Sequence, residues 1–240
     1  GVAGVYLFFW KRRQERKVKR EKETNRKIAD LELSALKAQM NPHFVFNALG
    51  AIQYYIQTND ADTADDYLTY FAQLIRKYLN SSREKVISLR EEIDLLKIYT
   101  ALEKMRFESL FDIEIKVGEG LVTEDINLPS MLIQPFIENA INHGLTERRD
   151  GKGFLSIHFY TKKEILYCIV EDNGIGRMNS KKKKRKGHRS RGMEIVQDKV
   201  KTLRNSGIAD VHIRIEDMKA LAQEYPGTRV EITIKNLEEE

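Results

Sequence analysis

The chain is poor in cysteine, whose disulfide bonds stabilise many small folds. It has one cysteine, Cys168, among 240 residues, which excludes an internal disulfide framework and fits a reducing compartment. It has no Cys/His spacing that suggests zinc, no GxxxxGK[ST] phosphate loop, and no HRD or DFG signature. Disulfide scaffolds, zinc modules, P-loop proteins and the protein kinases that carry those two signatures are therefore excluded.

Positive charge is concentrated in two short stretches. Residues 11–27 hold ten Lys/Arg and three Glu, a net of +7, and residues 177–191 hold nine Lys/Arg and no acid, a net of +9. Because the whole chain has a net charge of +5, the remainder is acidic at −11 (5 − 7 − 9). This distribution weakens a general nucleic-acid interpretation, and we predict no nucleic-acid partner.

The first ten residues carry no charge, end in an aromatic run and are followed at once by Lys11-Arg12-Arg13. Ten residues are too short to cross a bilayer, which takes about 20. An aromatic end before a basic cluster is typical of the cytoplasmic edge of a membrane helix. We therefore predict the end of a transmembrane helix at residues 1–10 and a basic juxtamembrane helix at residues 11–27. A signal-peptide remnant or a soluble apolar end is the alternative, although in a signal peptide the basic residues come first.

A heptad pattern starts at Ile28 and runs through the unusual stretch Gln39–Asn47. Its a and d positions are Ile28, Leu31, Ala35, Ala38, Pro42, Val45, Leu49, Ile52 and Ile56, as in helices that pack along a shared axis. His43 and Asn47 fall outside this seam, one turn apart on the same face. Proline inside a helix costs about 3 kcal/mol, so Pro42 beside His43 indicates a functional histidine. A helix-surface histidine without a role is the alternative.

Two further helices are predicted before residue 107. Asn59-Asp60 predicts a break, after which Tyr67, Phe71, Leu74 and Tyr78 fall on one helix face. Two helices joined by a short turn bury too little alone, so we predict a homodimer whose hairpins form a four-helix bundle. Ser88-Leu89-Arg90-Glu91 is a capping box that opens a third helix, ending at about Phe107.

The sequence changes character near residues 107–110. Phe111–Val117 alternates strictly between apolar and polar residues, as a half-buried strand does. Pro129 and Ser130 predict the start of a helix that ends near His143. Further strands are predicted over residues 153–160, 164–171, 210–216 and 228–234, and a further helix over 192–205. Helices followed by mixed strands and helices predict an α+β chain whose second part is a two-layer α/β sandwich.

Polar residues cluster on the predicted helix that ends near His143. Glu138, Asn139 and Asn142 lie on adjoining faces, and His143 lies one turn beyond Asn139. Amide and carboxylate oxygens are ligands that Mg²⁺ prefers. Asn139, with Glu138 as a second candidate, is therefore a candidate magnesium ligand. A helix with ordinary surface polar residues is the alternative.

Three glycine-containing segments follow. In Asp172–Gly176, Asp172 can accept a hydrogen bond from an exocyclic amine while the glycines let the backbone turn tightly; a simple Asn-Gly hairpin turn is the alternative. The basic stretch Arg177–Gly192 ends in Ser190-Arg191-Gly192 at a helix start, which favours an anion; a solvated charged loop or a nucleic-acid tail is the alternative. Gly227-Thr228 precedes the last strand.

In this order the motifs resemble those of the LytS-type sensor histidine kinases of bacterial two-component systems, over about residues 30–235. Gln39–Asn47 is similar to that family's phospho-acceptor box, and Leu89–Phe107 is similar to its following helix with a Tyr…Arg-Phe ending. The remaining matches are Gln134–Gly144 to its N box, Asp172–Gly176 to its G1 box, Ser190–Gly192 to its G2 box and Gly227-Thr228 to its last glycine box.

The resemblance implies a dimerisation and histidine phosphotransfer domain at residues 28–107 and a Bergerat-type (GHKL) ATP-binding domain at residues 108–240. His43 would accept the γ-phosphoryl group of ATP and pass it to an aspartate of a response regulator. Asn139 would hold Mg²⁺, Asp172 would read the adenine amine, and the basic loop would be the lid. The other implied ATP contacts are His143, Gly174, Gly176, Ser190, Gly192 and Thr228. Residues 11–240 would lie in the cytoplasm, under the bacterial inner membrane.

Three features qualify the resemblance. Phe44 stands where many histidine kinases have an acid that takes the ring proton, so the general base is unassigned. Gly192 is the one secure glycine of the G2 box. Asn47 resembles the residue that other kinases use to position water when they dephosphorylate the regulator, which predicts phosphatase activity. Two alternatives stay open: a GHKL-type ATP-dependent conformational switch in which Glu138 activates water, and a nucleotide-binding module without kinase activity.

Overall fold

The computed structural model describes the chain from Pro42 onward, with gaps. The described residues are 42–81, 84, 86–107, 110–149, 151–177, 191–205, 207–218 and 226–236, and for residues 42, 43, 191–195 and 236 only the backbone is described. The predicted membrane end at residues 1–10, the basic stretch at 11–27 and the heptad positions before Pro42 lie outside these residues. No helix within the described ranges is long and apolar enough to cross a membrane. The packing divides the chain into one unit up to Leu49 and another from Gly50 onward.

Two helices open the described part, α1 over Pro42–Gln57 and α2 over Ala61–Ser81. The predicted break between them is confirmed: Asn59 has a φ of 58°, a left-handed conformation that asparagine tolerates better than most residues. The Asp60 carboxylate then accepts a hydrogen bond from the Thr63 amide at 3.1 Å, which is the N-cap interaction expected at a helix start. Local sequence therefore sets the turn between the two helices.

The predicted apolar face of α2 is buried. Tyr67, Leu74 and Tyr78 are buried, and Phe71 is half-buried. The Tyr67 ring lies 6.1 Å from the Tyr55 ring of α1, centroid to centroid, a separation at which aromatic rings attract each other. The helical periodicity read from the sequence thus marks the packed side of α2.

Helix α3 spans Leu89–Phe107 and follows a short strand, β1, over Val86–Ser88. The predicted capping box is confirmed: the Glu91 amide donates to Ser88 Oγ at 3.2 Å, and the Ser88 amide donates to Glu91 Oε2 at 2.9 Å. These reciprocal bonds satisfy two backbone donors at the helix start. The capping box therefore determines where α3 begins.

A five-stranded mixed sheet forms the second part of the fold. Its strands are β2 Phe111–Val117, β4 Gly153–Lys162, β5 Ile165–Asp172, β6 Ala209–Asp217 and β7 Thr228–Asn236, in the order β2-β4-β5-β7-β6. Only the β2–β4 pair is parallel. One face is buried because alternate residues such as Ile157, Cys168 and Ile232 face the helices. The α+β class and the two-layer sandwich are confirmed.

The helix predicted from Pro129 and Ser130 begins later than expected. Asn127–Pro129 form a short strand, β3, that pairs with β1, and α4 begins at Gln134 and ends at Asn139. Six further residues, Ala140–Leu145, continue it as a π-helical turn. The helix start predicted at Pro129 is therefore wrong, because strand pairing and a turn take up residues 127–133.

A buried carboxylate from α3 holds that turn. Glu92 accepts hydrogen bonds from the amides of Met131 (2.9 Å) and Ile133 (3.1 Å), and Met131 has a φ of 56°. Lys199 of α5, which spans Arg191–Asn205, donates to the Ser130 carbonyl at 2.7 Å. Burial raises the pKa of Glu92 to about 7, although the two amides and Lys199 oppose the shift. One side chain thus joins α3 to the segment that leads into α4.

Candidate nucleotide site

Asp172 lies at the centre of the candidate site, at the last position of β5. Its side chain is 4% exposed, and Oδ1 accepts a hydrogen bond from the Gly174 amide at 2.8 Å. In the sheet Asp172 pairs with Thr228 of β7, which in turn pairs with Asp217 of β6. The sheet register therefore brings the G1 segment beside Gly227-Thr228.

Glycines surround Asp172 because no side chain would fit beside it. A Cβ on Gly174 would lie 2.5 Å from the Cα of Gly144 and 2.7 Å from Asp172 Oδ1. A Cβ on Gly144 would lie 2.9 Å from the same oxygen, and one on Gly227 would collide with the Asp172 carbonyl oxygen. Approaches under 3.0 Å are not tolerated without movement, so the absence of side chains creates the contact between three segments.

Backbone hydrogen bonds tie the three segments together. The Ile175 amide donates to the Gly144 carbonyl at 3.3 Å, and the Gly227 amide donates to the Gly174 carbonyl at 3.0 Å. Gly144 belongs to the π-helical turn after α4. The turn at Gly174 is therefore held from the helix on one side and from the start of β7 on the other.

Two positions of the site need glycine for their backbone conformation. Gly176 has a φ of 75°, and a Cβ there would lie 2.5 Å from Cγ of Pro226. Gly227 has a φ of 69°. Residues other than glycine are strained in this left-handed region, so both glycines are required by geometry as well as by space.

Burial governs the charge of Asp172. It raises the pKa of the carboxyl from its usual value of 3.8 to about 6, while hydrogen bonds from Gly174 and Thr228 oppose the shift. The carboxyl is thus mostly ionised at neutral pH, with an oxygen acceptor presented in a protected place. Such a group is suited to accept a hydrogen bond from an amine of a bound ligand.

Asn173 has a structural role that the sequence reasoning missed. Its Oδ1 accepts a hydrogen bond from the Phe154 amide at 2.7 Å, and its carbonyl accepts one from Arg148 at 2.5 Å. The Asn173 amide donates to the Phe154 carbonyl at 3.1 Å. The Asn-Gly pair predicted a turn, but only the antiparallel pairing of β4 with β5 shows that Asn173 anchors the turn to the start of β4.

The polar residues of the N box lie on α4 and on the π-helical turn that follows it and contains Gly144. Glu138 and Asn139 are half-buried and His143 is exposed. Glu138 Oε1 accepts a hydrogen bond from the Gln134 side chain at 2.8 Å. Within the described ranges no three His, Cys, Asp or Glu side chains come together as a metal cluster. The oxygens of Asn139 and Glu138 remain the donor set that suits Mg²⁺.

The remaining predicted site residues lie on other elements. Gly192 is the second residue of α5, so the predicted helix start after the G2 box is confirmed. Ser190 and residues 178–189 lie outside the described part. His43 and Asn47 lie on α1, where Asn47 is half-buried. The structure therefore brings together Asp172, Gly174, Gly176 and Thr228 with the end of the N-box helix.

Known proteins with these features are sensor kinases. A family model described as histidine kinase matches residues 31–111. An uncharacterized sensor-like histidine kinase of Staphylococcus epidermidis is 30% identical over 172 residues, covering 71% of this chain and 32% of that protein. The sensor histidine kinase/phosphatase LytS of Staphylococcus aureus is 34% identical over 158 residues, covering 65% of this chain and 26% of that protein.

The chain spans about a third or less of the length of these curated relatives. Among solved structures, the histidine kinase domain of a blue-light activated kinase from Erythrobacter litoralis aligns with 85% of this chain and 92% of that domain, at 16% identity and a TM-score of 0.44. The motif order and the relatives lead to one assignment. The chain belongs to the LytS-type sensor histidine kinase family.

Proposed function

We propose that the chain is the kinase region of a two-component sensor: it binds ATP with Mg²⁺, phosphorylates itself on His43 and passes the phosphoryl group to an aspartate of a response regulator. The observation that carries this proposal is the convergence of three family motifs on the buried Asp172. That arrangement offers one protected acceptor in a place lined by glycine backbone. A purine base with an exocyclic amine fits this chemistry.

The residues around Asp172 would bind the base. The Asp172 carboxylate accepts from the adenine amine, and its fixed position comes from the hydrogen bond with the Gly174 amide. Gly174 and Gly176 would keep the backbone compact beside the ligand, since a Cβ on Gly174 would meet Asp172 Oδ1 and one on Gly176 would meet Pro226. Thr228, which lies beside Asp172 in the sheet register, completes this side of the site.

The phosphate end would be held by the N-box helix and the lid. Asn139, with Glu138, would hold Mg²⁺, and His143 would contact phosphate. A bound Mg²⁺ neutralises charge on the phosphates. Ser190 and Gly192 at the start of α5, together with the basic loop 177–191, would favour the polyphosphate through positive charge and helix-end amides.

The transfer step needs a nucleophile and a leaving group. Imidazole has an unperturbed pKa of about 6.5, so near neutral pH a free imidazole is largely neutral with one unprotonated ring nitrogen, the form in which His43 would act. That nitrogen forms a bond to the γ-phosphorus of ATP while the bond to the bridging β-γ oxygen breaks, and ADP leaves. The proton on the other ring nitrogen is released. The phosphoryl group then moves to a carboxylate oxygen of the regulator, which restores His43.

Dimerisation would complete the helical part. Large apolar side chains of the helices are exposed in the single chain: Phe46, Leu49, Tyr54, Ile56 and Leu68. We assign residues 28–107 to dimerisation and phosphotransfer and residues 108–240 to ATP binding. Residues 1–10 would anchor the region at the bacterial inner membrane, with residues 11–240 in the cytoplasm.

Asn47 would support a second activity, removal of the phosphoryl group from the regulator. It lies one turn after His43 on α1, where an amide can position water. The LytS relative from Staphylococcus aureus carries the name histidine kinase/phosphatase. Asn47→Ala should therefore lose dephosphorylation of the regulator while self-phosphorylation survives. Equal loss of both activities, or of neither, would contradict this role.

One incubation with γ-labelled ATP and Mg²⁺ tests the kinase proposal. The wild-type chain should carry a label that is stable in base and labile in acid, as a phosphohistidine is, and His43→Gln should carry none. Steady ATP hydrolysis without a labelled protein would instead support the GHKL-type switch. A wild-type chain that binds no nucleotide would support an inert module.

A further inference from the structure

Arg106, near the end of α3, joins two elements that are far apart in sequence. Its guanidinium lies 2.8 Å from the Glu103 carboxylate and donates to Asn142 Oδ1 at 3.2 Å. Its side chain is only 13% exposed, and the guanidinium carbon lies 4.1 Å from the centre of the Phe107 ring. A guanidinium that pairs with a carboxylate at its edge and packs one face on an aromatic ring has little conformational freedom.

Glu103 makes this arrangement rigid. It is fully buried, and burial raises the pKa of its carboxyl to about 7, with Arg106 opposing the shift and Glu138 adding to it. The contact with Arg106 is an ion pair, and among the described residues neither carboxylate oxygen of Glu103 has a hydrogen-bond partner. If Arg106 moved away, the buried Glu103 carboxylate would be left with an uncompensated charge. The pair therefore keeps Arg106 in place, within reach of Asn142.

Asn142 occupies a sensitive place in the nucleotide helix. It lies within the π-helical turn Ala140–Leu145, between Asn139 and His143. A π-helical turn is rare and frequently lies at a functional site, and a contact from outside the helix helps to hold such a turn in place. The hydrogen bond from Arg106 is such a contact, since it comes from a residue 36 positions away in sequence.

The same end of α3 also contacts α1, the helix that carries His43. The Tyr55 hydroxyl donates to the Met105 carbonyl at 2.7 Å. A cavity of about 350 Å³ beside it is lined by Ala51, Tyr54, Tyr55 and Arg106. The end of α3 therefore lies between the second half of α1 and the nucleotide helix, and Arg106 faces both.

We propose that Arg106 is a positioning residue of the kinase: through Asn142 it holds the π-helical turn that presents Asn139 and His143, beside the second half of α1. The inference rests on the proposed ATP-binding function. It assigns Arg106 no contact with nucleotide. Its effect on nucleotide binding therefore has to pass through Asn142, and this requirement can be measured.

The test is a double-mutant cycle on the affinity for Mg-ATP, measured by calorimetry on the whole chain. Arg106→Met and Asn142→Ala should each weaken binding about tenfold, the range expected when a hydrogen bond to a charged group is lost. The double variant should be no weaker than either single variant, because both changes remove one interaction. Arg106→Lys, which keeps the charge without the fork, should recover part of the loss.

Arg214→Met is the matched control, since Arg214 pairs with Glu216 at 2.9 Å on an exposed strand. It should leave the affinity within twofold. Losses that add in the double variant, or an Arg106→Met chain that binds as well as the control, would overturn the inference. If Arg106→Met fails to fold, Arg106→Lys takes its place in the cycle with Asn142→Ala. A wild-type chain that binds no Mg-ATP would overturn the proposed function instead.

Discussion

The nucleotide site and helix α1 differ in how completely this chain fills the space around them. At Gly174 a single added carbon would collide with Gly144, whereas a Cβ on Gly50 of α1 would meet nothing within 4 Å. Around Asp172 every segment is held by another, but on α1 the side chains of Phe46, Leu49 and Ile56 are 73%, 53% and 61% exposed.

This difference indicates which part of the fold needs a partner chain to bury its apolar side chains. Leu49 and Ile56 belong to the predicted heptad seam, and both are exposed, while Phe44, Ala48 and Tyr55 on another face are buried. A helix that is apolar on two faces needs two neighbours. The ATP-binding part is completed by its own chain, and the seam of α1 is left for the second copy that we propose.

The largest expected effect comes from filling the closed site. Gly174→Ala places a methyl group against the backbone of Gly144 and the Asp172 carboxylate. Overpacking of this kind should lower the free energy of unfolding by about 3 kcal/mol, and nucleotide binding should be lost with it. Chemical denaturation followed by fluorescence, together with calorimetry of Mg-ATP binding, measures both effects.

Gly50→Ala is the matched control because the same added carbon has open space and lies inside a helix. It should stabilise the chain by about 0.5–1 kcal/mol, since alanine favours a helix over glycine. If the two substitutions had equal effects, the contrast between a closed site and an open helix would be wrong.

The next effect is a pH dependence set by Glu92. Its folded pKa of about 7 lies above the usual value of 4.5, so between these pH values the unfolded chain loses a proton that the folded chain keeps. The folded state is therefore most stable below pH 4.5, and its free energy of unfolding falls by about 3 kcal/mol as pH rises to about 7. Denaturation curves across this range should show the fall.

Glu92→Gln should flatten this fall, because the amide has no proton to lose and its oxygen still accepts from the backbone. Asp112 is the contrasting control. The Lys152 ammonium lowers the pKa of this exposed carboxyl. The stability that this ion pair contributes is therefore lost as pH falls through the acidic range in which aspartate titrates, and not as pH rises. An unchanged slope in Glu92→Gln would show that the buried carboxyl does not titrate in this window.

The smallest expected effect on the chain itself comes from the open seam. Ile56→Lys changes a side chain that is exposed in the single chain, so the stability of each chain should barely change. In the proposed dimer the same position is buried, and the dissociation constant should rise about tenfold. Sedimentation equilibrium measures it, with Asp62→Lys as a control on a polar position of α2. A dimer insensitive to Ile56→Lys would place the interface elsewhere.

Local patterns predicted most of the fold. The alternation in Phe111–Val117 and the capping box at Ser88 depend on neighbouring residues only, and both are confirmed. The start of α4 was not predictable in this way. Pro129 and Ser130 look like a helix start, but the amides of the following turn bind Glu92, some forty residues earlier in the chain.

The candidate site was predictable to a similar extent. Asp172, Gly174 and Gly176 stand in one motif, so the sequence indicates them without knowledge of the fold. The roles of Gly144, beside the Asp172 carboxylate, and of Gly227, beside the Asp172 carbonyl, follow only from the sheet register and the end of α4. The sequence marked Arg106 only as part of the Tyr…Arg-Phe ending of its helix, and its contact with Asn142 follows only from the fold.

We propose that the chemistry is divided between two regions: the site around Asp172 would bind the donor, and His43 on α1 would be the acceptor. Measuring Mg-ATP affinity and acid-labile label in parallel tests this division most directly. Asp172→Asn should lose at least about tenfold in affinity together with the label, while His43→Gln should keep the affinity within about twofold and lose only the label. Wild-type affinity in Asp172→Asn, or acid-labile label on His43→Gln, would contradict the account.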